Sequence, residues 1–415
     1  MSGSRLARAG WPASAVGLSF ALLASAFAWS GSAVSGAMPQ RARVAPWIVR
    51  VQRLVGDLPI SVSVAEDGRL VDAHAGNVPR PPASDEKLLL SMALLDRFGA
   101  RYRIPTTVEG LRPKDGLVGG NVWLVGHGDP ELNDAALARL AGKMGASGIR
   151  SVRGSVIGVT NTFTRERSAP GWQPIALKFI ALPTALTFDA NSGPSGFVFD
   201  PERRAAARLT ADLGALGVRV SGRARAGRAP AAAQDILATV RSAPLIDILR
   251  RQNRDSLNLD AEVLTKLLGA AIYGSPGSIA KGARTIQRWA QHHHVDVVAH
   301  DGSGLSHTDK ISTNAIVQLL SAASREPWGP ALRSTLPAAG QGTLAGRLLG
   351  LGVRAKTGTL LKQVSALSGW VWLPRPHRWA EFSILSRGLS KPQAVALENG
   401  IVSIISKHVP VAPSR

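Results

Sequence analysis

The apolar positions of this chain change period several times, and each change marks an element. APWIVRVQRLVGD (45–57) repeats its apolar residues at three- and four-residue steps, which predicts an amphipathic helix. ISVSVAEDGRLVDAHAG (60–76) carries two β-rich runs around Asp67-Gly68, the pattern of a hairpin. A second helix opens in PPASDEKLLLSMALLDRFGA and runs to about Phe98. From Arg103 to about Val240 the texture is short strands and turns, with two helices at 134–148 and 201–217. Helical spacing returns in APLIDILRRQNRDSLNLDAEVLTKLLGAAI (243–272) and continues to about Ala323. Two strand runs, 353–361 and 364–388, precede a last helix that reaches about Lys407 and shows apolar spacing at Val395, Ile401 and Ile405.

Strands at both ends, with a mainly helical block before the last of them, predict an α+β fold. The N-terminal hairpin is expected to join the C-terminal strands in one antiparallel sheet, with the last helix packed on it. At 415 residues the chain is long for a single core. The expected division is one domain from 38–105 and 241–415, interrupted by a β-rich inserted domain at 106–240.

The N-terminus adds a compartment. Arg5 and Arg8 precede an apolar run to about Trp29 and then small residues, the order of a secretory signal. Residues 1–37 are read as that signal, with Ala33 and Ala37 as cleavage positions, or as an uncleaved anchor because the run is long. The chain has no Cys, which excludes a disulfide framework and a lipid-modified cysteine. The mature protein is therefore expected outside the cytoplasmic membrane, in periplasm or cell wall. Net charge is +21, from 49 Lys+Arg against 28 Asp+Glu, so polyanions are attracted. Nucleic acid is not among the expected partners, since no nucleic-acid motif accompanies the charge. Anionic lipid and anionic wall polymers remain.

Candidate chemistry begins with Ser84-Asp85-Glu86-Lys87. Ser84 looks like a helix N-cap, and a capping box would place Glu or Gln three residues later. Lys87 stands there instead, a cation opposing the helix dipole. A serine nucleophile with a lysine one turn away on the same face accounts for it. Ser278/Lys281 repeats the spacing after Gly274, Pro276 and Gly277 and reads as a plain cap, as does Ser312. Ser256-Leu257-Asn258 lies between two helical runs, where a turn can aim both polar side chains into a cleft. Lys356-Thr357-Gly358-Thr359 lies on a strand. S-x-x-K, S-x-N and K-T-G in this order form the motif set of penicillin-binding proteins and serine β-lactamases. The His run at 292–294 reads as a solvated helix end, and Gly126-His127-Gly128-Asp129 lacks the third glycine of a nucleotide loop. No cofactor or metal is expected.

From about residue 45 onward the chain resembles the low-molecular-mass class C penicillin-binding proteins, the serine D-alanyl-D-alanine carboxypeptidases of peptidase family S13. The blocks that carry the resemblance are RPPASDEKLLLSMALL, GNVWLVGHGDPEL, DSLNLDAEVLTKLLG, HDGSGLSHTDKIS, STLPAAGQGTLAGRL and AKTGTLLKQVSALSGWV, in the family's order. The resemblance implies a penicillin-binding/β-lactamase-like transpeptidase domain, a peptidoglycan stem peptide ending in D-Ala-D-Ala as substrate, and β-lactams as covalent inhibitors. It implies Ser84 as nucleophile, Lys87 as its base with a pKa lowered by the helix dipole and Lys356, and Ser256 as proton relay. Asn258 would bond the acyl-side amide, and Lys356 with Thr357 the terminal carboxylate. The N–H groups of Ser84 and Thr359 would form the oxyanion hole, and Gly358 would leave room for the peptide. Leu257 stands where the family often has a polar residue. The short NSGPSGFVFDPERR stretch (191–204) implies one inserted domain and not two. A non-catalytic basic scaffold in the wall, or a β-lactamase, are the competing readings.

Overall fold

The computed structural model describes residues 45–407 apart from 233 and 376, so the expected signal or anchor at 1–37 lies outside the described residues. The N-terminal hairpin does join the C-terminal strands. One antiparallel sheet runs in the order Val353–Leu360, Val364–Leu373, Arg378–Arg387, Ile60–Glu66, Arg69–His74. The strand that carries Lys356 therefore lies at a sheet edge.

Burial on both faces explains why ISVSVAE reads as it does. Every residue of Ile60–Glu66 is buried. Ile60, Val62 and Val64 share a core with Trp47, Val51 and Val55 of the helix Pro46–Val55 and with Ile401, Val402 and Ile405 of the helix Lys391–Ser406. The serines of the other face meet the helical block, where the Ser63 hydroxyl lies 2.7 Å from that of Thr313. Val395, expected on the packed face of the last helix, is only half-buried. Ala394, Glu398, Ile401, Val402 and Ile405 form that face, and Val395 sits about 100° around the helix from Ala394.

The helical block supplies the largest core, built from Leu88–Leu90 and Leu94, Leu245, Ile248, Leu249, Val263, Leu264, Leu268 and Ile286, with Trp370 and Leu385 of the sheet against it. The long helical pattern at 243–272 is two helices, Leu245–Asp255 and Asn258–Tyr273. Ser256 separates them in the left-handed conformation, φ +58°. Ser278 and Ser312 cap their helices as expected, accepting from the Lys281 N–H at 3.1 Å and the Ala315 N–H at 3.2 Å. His292 ends its helix with His293 against Trp289.

Most of the stretch between Pro105 and Arg241 has a separate core of Val108, Leu124, Leu137, Leu140, Leu209 and Leu213, while Phe163, Ala176, Ile180, Ala181 and Ala185 from its middle pack into the core of the helical block. Its main sheet runs Arg225–Gly227, Val156–Val159, Val122–Gly126, Pro105–Gly110, Asp235–Arg241. The last strand pairs antiparallel with the first, Arg241 opposite Pro105, so the chain returns to the point it left.

Two glycines let the helix behind Ser256 pack tightly on its successor, Ile279–His292. A Cβ on Gly282 would stand 2.1 Å from the Thr265 carbonyl, and one on Gly269 would stand 2.6 Å from the Gly282 nitrogen. Gly282→Ala should destabilise the fold by about 1–3 kcal/mol, the range for overpacking. Thermal unfolding followed by circular dichroism measures it, and an unchanged midpoint would contradict so close a crossing.

Candidate active site

The nucleophile candidate is presented by a strained turn. Ala83 takes φ +49°, a conformation uncommon for a residue with a Cβ, within the 3₁₀ turn Ala83–Asp85 that leads into the helix Glu86–Phe98. Ser84 is not the cap its sequence context suggests. Asp85 occupies the N-cap position, and no side chain caps the helix. The Ser84 Oγ meets Lys87 instead, with Nζ 3.1 Å away. Lys87 Nζ also donates to Asn258 Oδ1 at 2.9 Å and to the Ser303 carbonyl at 2.6 Å.

Lys87 is fully buried, and burial is the main reason its pKa falls from 10.5 to about 8. Asp301, Glu262, Asp260 and Asp85 act in the opposite direction. The expected cause, a neighbouring cation with the helix dipole, gives way to desolvation. Asp85 and Glu86 are also fully buried, and they diverge. Asp85 faces Ser368, Lys356, Glu398 and Lys391; Glu86 faces Asp309, Asp301 and Glu262. Burial pushes both carboxyls well above their usual range.

The second cation belongs to Ser256. The left-handed turn swings Ser256 Oγ to 2.9 Å from Lys356 Nζ, which also donates to the Thr357 carbonyl at 2.7 Å. Lys356 is fully buried, and its pKa falls to about 7, first through burial and then through Lys87. It therefore lies beneath the cleft surface. Thr357 and Thr359 line the cleft in front of it. Leu257 is 37% exposed and points out between Ser256 and Asn258, which removes its apparent conflict with them. Gly358 lets the edge strand approach the Ser84 turn: its Cβ would lie 2.8 Å from the Pro82 carbonyl and 3.0 Å from the Ala83 Cβ.

Ser84, Ser256, Asn258, Thr357 and Thr359 thus line one cleft of about 420 Å³, with Lys87 and Lys356 beneath them. The facing wall comes from Gln173, Ile175, Ala176 and the 59% exposed Phe179, in a segment whose Ala176, Ile180 and Ala181 pack into the core of the helical block. Asn258 Nδ2 ties that wall down, reaching the Phe179 carbonyl at 3.3 Å.

Three contributors were not identified from sequence. The 301–306 loop delivers the Ser303 carbonyl, and Asp301 holds it by accepting from Gly304 N at 2.6 Å, Ser306 N at 2.9 Å and Trp172 Nε1 at 2.5 Å. Lys391 donates to Thr359 Oγ1 at 2.8 Å. Glu262, fully buried, sits behind the same loop. Glu262 and the Gly/Ser/Asp-rich HDGSGLSHTDK segment were visible signals, the first by lying one turn after Asn258.

A serine coupled to a buried lysine beside the edge of a helix-flanked antiparallel sheet defines a serine hydrolase with the penicillin-binding fold. The family described as D-Ala-D-Ala carboxypeptidase 3 (S13) matches residues 40–196 and 193–408, and the chain belongs to it. A D-alanyl-D-alanine carboxypeptidase of Actinomadura sp. (strain R39) is 28% identical over 418 residues, 79% of this chain and 77% of that one. A carboxypeptidase of Mycobacterium tuberculosis is 31% identical over 367 residues, 77% of this chain and 75% of its own. Among solved structures, penicillin binding protein 4 from Haemophilus influenzae superimposes with TM-score 0.75 at 20% identity, covering 86% of this chain and 99% of that one. Its complex with a novel β-lactam gives 0.69 at the same identity and coverage.

Gly304 is where the loop and the nucleophile turn touch. Its φ is +77°, and a Cβ there would stand 1.8 Å from the Ala83 carbonyl. Gly304→Ala should displace the Ser303 carbonyl from Lys87 and slow acylation by a β-lactam by about 100-fold, as misplacement near 1 Å does. Stopped-flow acylation measures it, and the parent rate in a folded variant would contradict this role for the loop.

Proposed function

We propose that this protein is an extracytoplasmic serine carboxypeptidase that removes the terminal D-Ala from peptidoglycan stem peptides ending in D-Ala-D-Ala. Cleavage of D-Ala cross-links, an endopeptidase activity, would use the same acyl-enzyme. The observation that carries the reading is Lys87 Nζ at 3.1 Å from Ser84 Oγ with its pKa lowered toward neutrality. As the free amine, Lys87 accepts the Ser84 proton across that contact while Oγ attacks the carbonyl of the penultimate D-Ala. The N–H groups of Ser84 and Thr359 receive the oxyanion. The proton taken by Lys87 returns through the Ser256 hydroxyl, held by Lys356, to the departing D-Ala amine, so Lys87 is again a free amine when water hydrolyses the ester.

Asn258 is positioned to orient both Lys87 and the acyl-side amide. The terminal carboxylate is received by the Thr357 and Thr359 hydroxyls. Lys391 occupies the Thr359 oxygen as a donor, leaving that O–H free to donate into the cleft. Lys356 lies beneath these threonines, hydrogen-bonded to Ser256 and to the Thr357 carbonyl. β-Lactams enter by the same attack and remain as the acyl group. The family match and the named carboxypeptidase relatives favour this reading over a non-catalytic scaffold or a β-lactamase.

We further read residues 1–37 as the export signal or anchor and 106–240 as an inserted domain, the latter supported by its separate core. No helix among the described residues is long and apolar enough to cross a membrane. The charge of +21 and the exposed Arg150, Arg153, Arg219, Arg223 and Arg225 support contact with anionic wall polymers.

Release of D-Ala from a pentapeptide should fall by about 10³-fold or more in Ser84→Ala, the scale of losing a nucleophile. Fluorescent penicillin should label the parent and Ser278→Ala but not Ser84→Ala. Absent labelling of the parent would favour the scaffold, and labelling without D-Ala release would leave the chemistry with a different substrate. The rate should also depend on pH through Lys87. Only its neutral form accepts the proton, so acylation rises about tenfold per unit up to about pH 8 and levels above it. A limb rising to pH 10 would contradict a buried base.

A further inference from the structure

We propose that Glu262 is a positioning residue for the acylation step: its buried carboxylate both fixes the Ser303 backbone against Lys87 and sets the charge that Lys87 carries. The proposal rests on the reading of Ser84 and Lys87 given above. Glu262 lies four residues after Asn258 on the helix Asn258–Tyr273, so both side chains share one face, with Glu262 a turn further from the cleft. Glu262 Oε1 accepts from Gly302 N at 3.1 Å and Ser303 N at 2.8 Å. The carbonyl of that same Ser303 accepts from Lys87 Nζ at 2.6 Å. Asp301 grips the next amide, Gly304 N, at 2.6 Å, so Ser303 is clamped on both sides.

A neutral acceptor would serve a structural clamp equally well and would cost less to bury than a carboxylate. Charge is what Glu262 adds. Lys87 faces Asp301, Glu262, Asp260, Asp85 and Glu86, with Lys356 as the nearby cation. Glu262 faces Asp301 and Glu86 of like sign, together with Lys87 and Lys266. Lys266 is turned away to the carbonyls of Thr164, Glu166 and Pro183. Burial raises Glu262 to about 8, the range to which burial lowers Lys87. The two groups therefore titrate together: an ionised Glu262 holds the proton on Lys87, and a protonated Glu262 lets it go.

The test is the pH profile of acylation by a fluorescent penicillin in the full chain. Glu262→Gln keeps the volume and an acceptor for both amides and removes the charge. Its acid limb should move to lower pH by about half a unit or more, since Glu262 carries its full charge only above about pH 8. The plateau should drop as well, because the base is weaker. Glu262→Asp keeps the charge with the acceptor drawn back, and should lose plateau rate at the parent midpoint. A clamp without an electrostatic role would lower the rate at every pH and leave both midpoints in place. Superimposable midpoints for parent and Glu262→Gln overturn the proposal, as does a Glu262→Asp midpoint moved down as far as expected for Gln. No acylation of the parent would overturn the Ser84 reading itself, whereas parent acylation with unmoved midpoints overturns only the role of Glu262.

Discussion

The constraint on which the site depends is the burial of an ammonium group beside a hydroxyl. Lys87 has no exposed surface, yet every hydrogen-bond direction of its Nζ is used: Ser84, Asn258 and Ser303 surround it. Removing such a charge from water costs several kcal/mol even after relaxation. Part of that is offset by the three acceptors and part by the surrounding carboxyl groups, and the remainder appears as a pKa lowered to about 8. The same balance recurs at Lys356, which pairs with Ser256 and falls to about 7. Two buried amines of reduced basicity thus each lie within reach of one serine, and on the proposed reading they serve the base and the proton relay.

Holding those groups together explains several otherwise unrelated features of the chain. The left-handed Ser256 interrupts what the hydrophobic pattern presents as one helix. Ala83 accepts a conformation unusual for its type so that Ser84 heads the helix without capping it. Gly304 and Gly358 approach the Ser84 turn from opposite neighbours, the 301–306 loop and the edge strand, at distances that leave no space for a Cβ. The Gln173–Phe179 wall closes the cleft, packed on the core of the helical block and anchored by Asn258. Local strain and close packing are thus concentrated where the reacting groups converge.

Much of this was legible in the sequence because it is local or strongly periodic. The hairpin, the terminal helices, the caps at Ser278 and Ser312, and the three-residue spacing of Ser84 and Lys87 follow from patterns read within a few residues. The helix break at Ser256 was legible as a turn between two runs. What escaped notice depends on contacts between distant segments. The contact of Lys356 with Ser256 is one of these, since nothing in its strand announces that Ser256 lies above it. The approach of Gly358 to the Ser84 turn is another. Ser303, Lys391 and Glu262 act through a loop and two helices whose proximity no periodicity encodes. Val395 fell off the packed face because an apolar residue at a helix flank and one at its centre look alike in a short stretch.

The central claim is best tested on Lys87 itself. In protein labelled with ¹³C at lysine Cε, the Lys87 resonance can be assigned by its loss in Lys87→Met and followed through a pH titration by nuclear magnetic resonance. The account predicts a midpoint at about 8, more than two units below the ordinary 10.5. A midpoint near 10.5 would mean a hydrated ammonium that cannot accept the serine proton at neutral pH, and the arrangement around Ser84 would have to work another way.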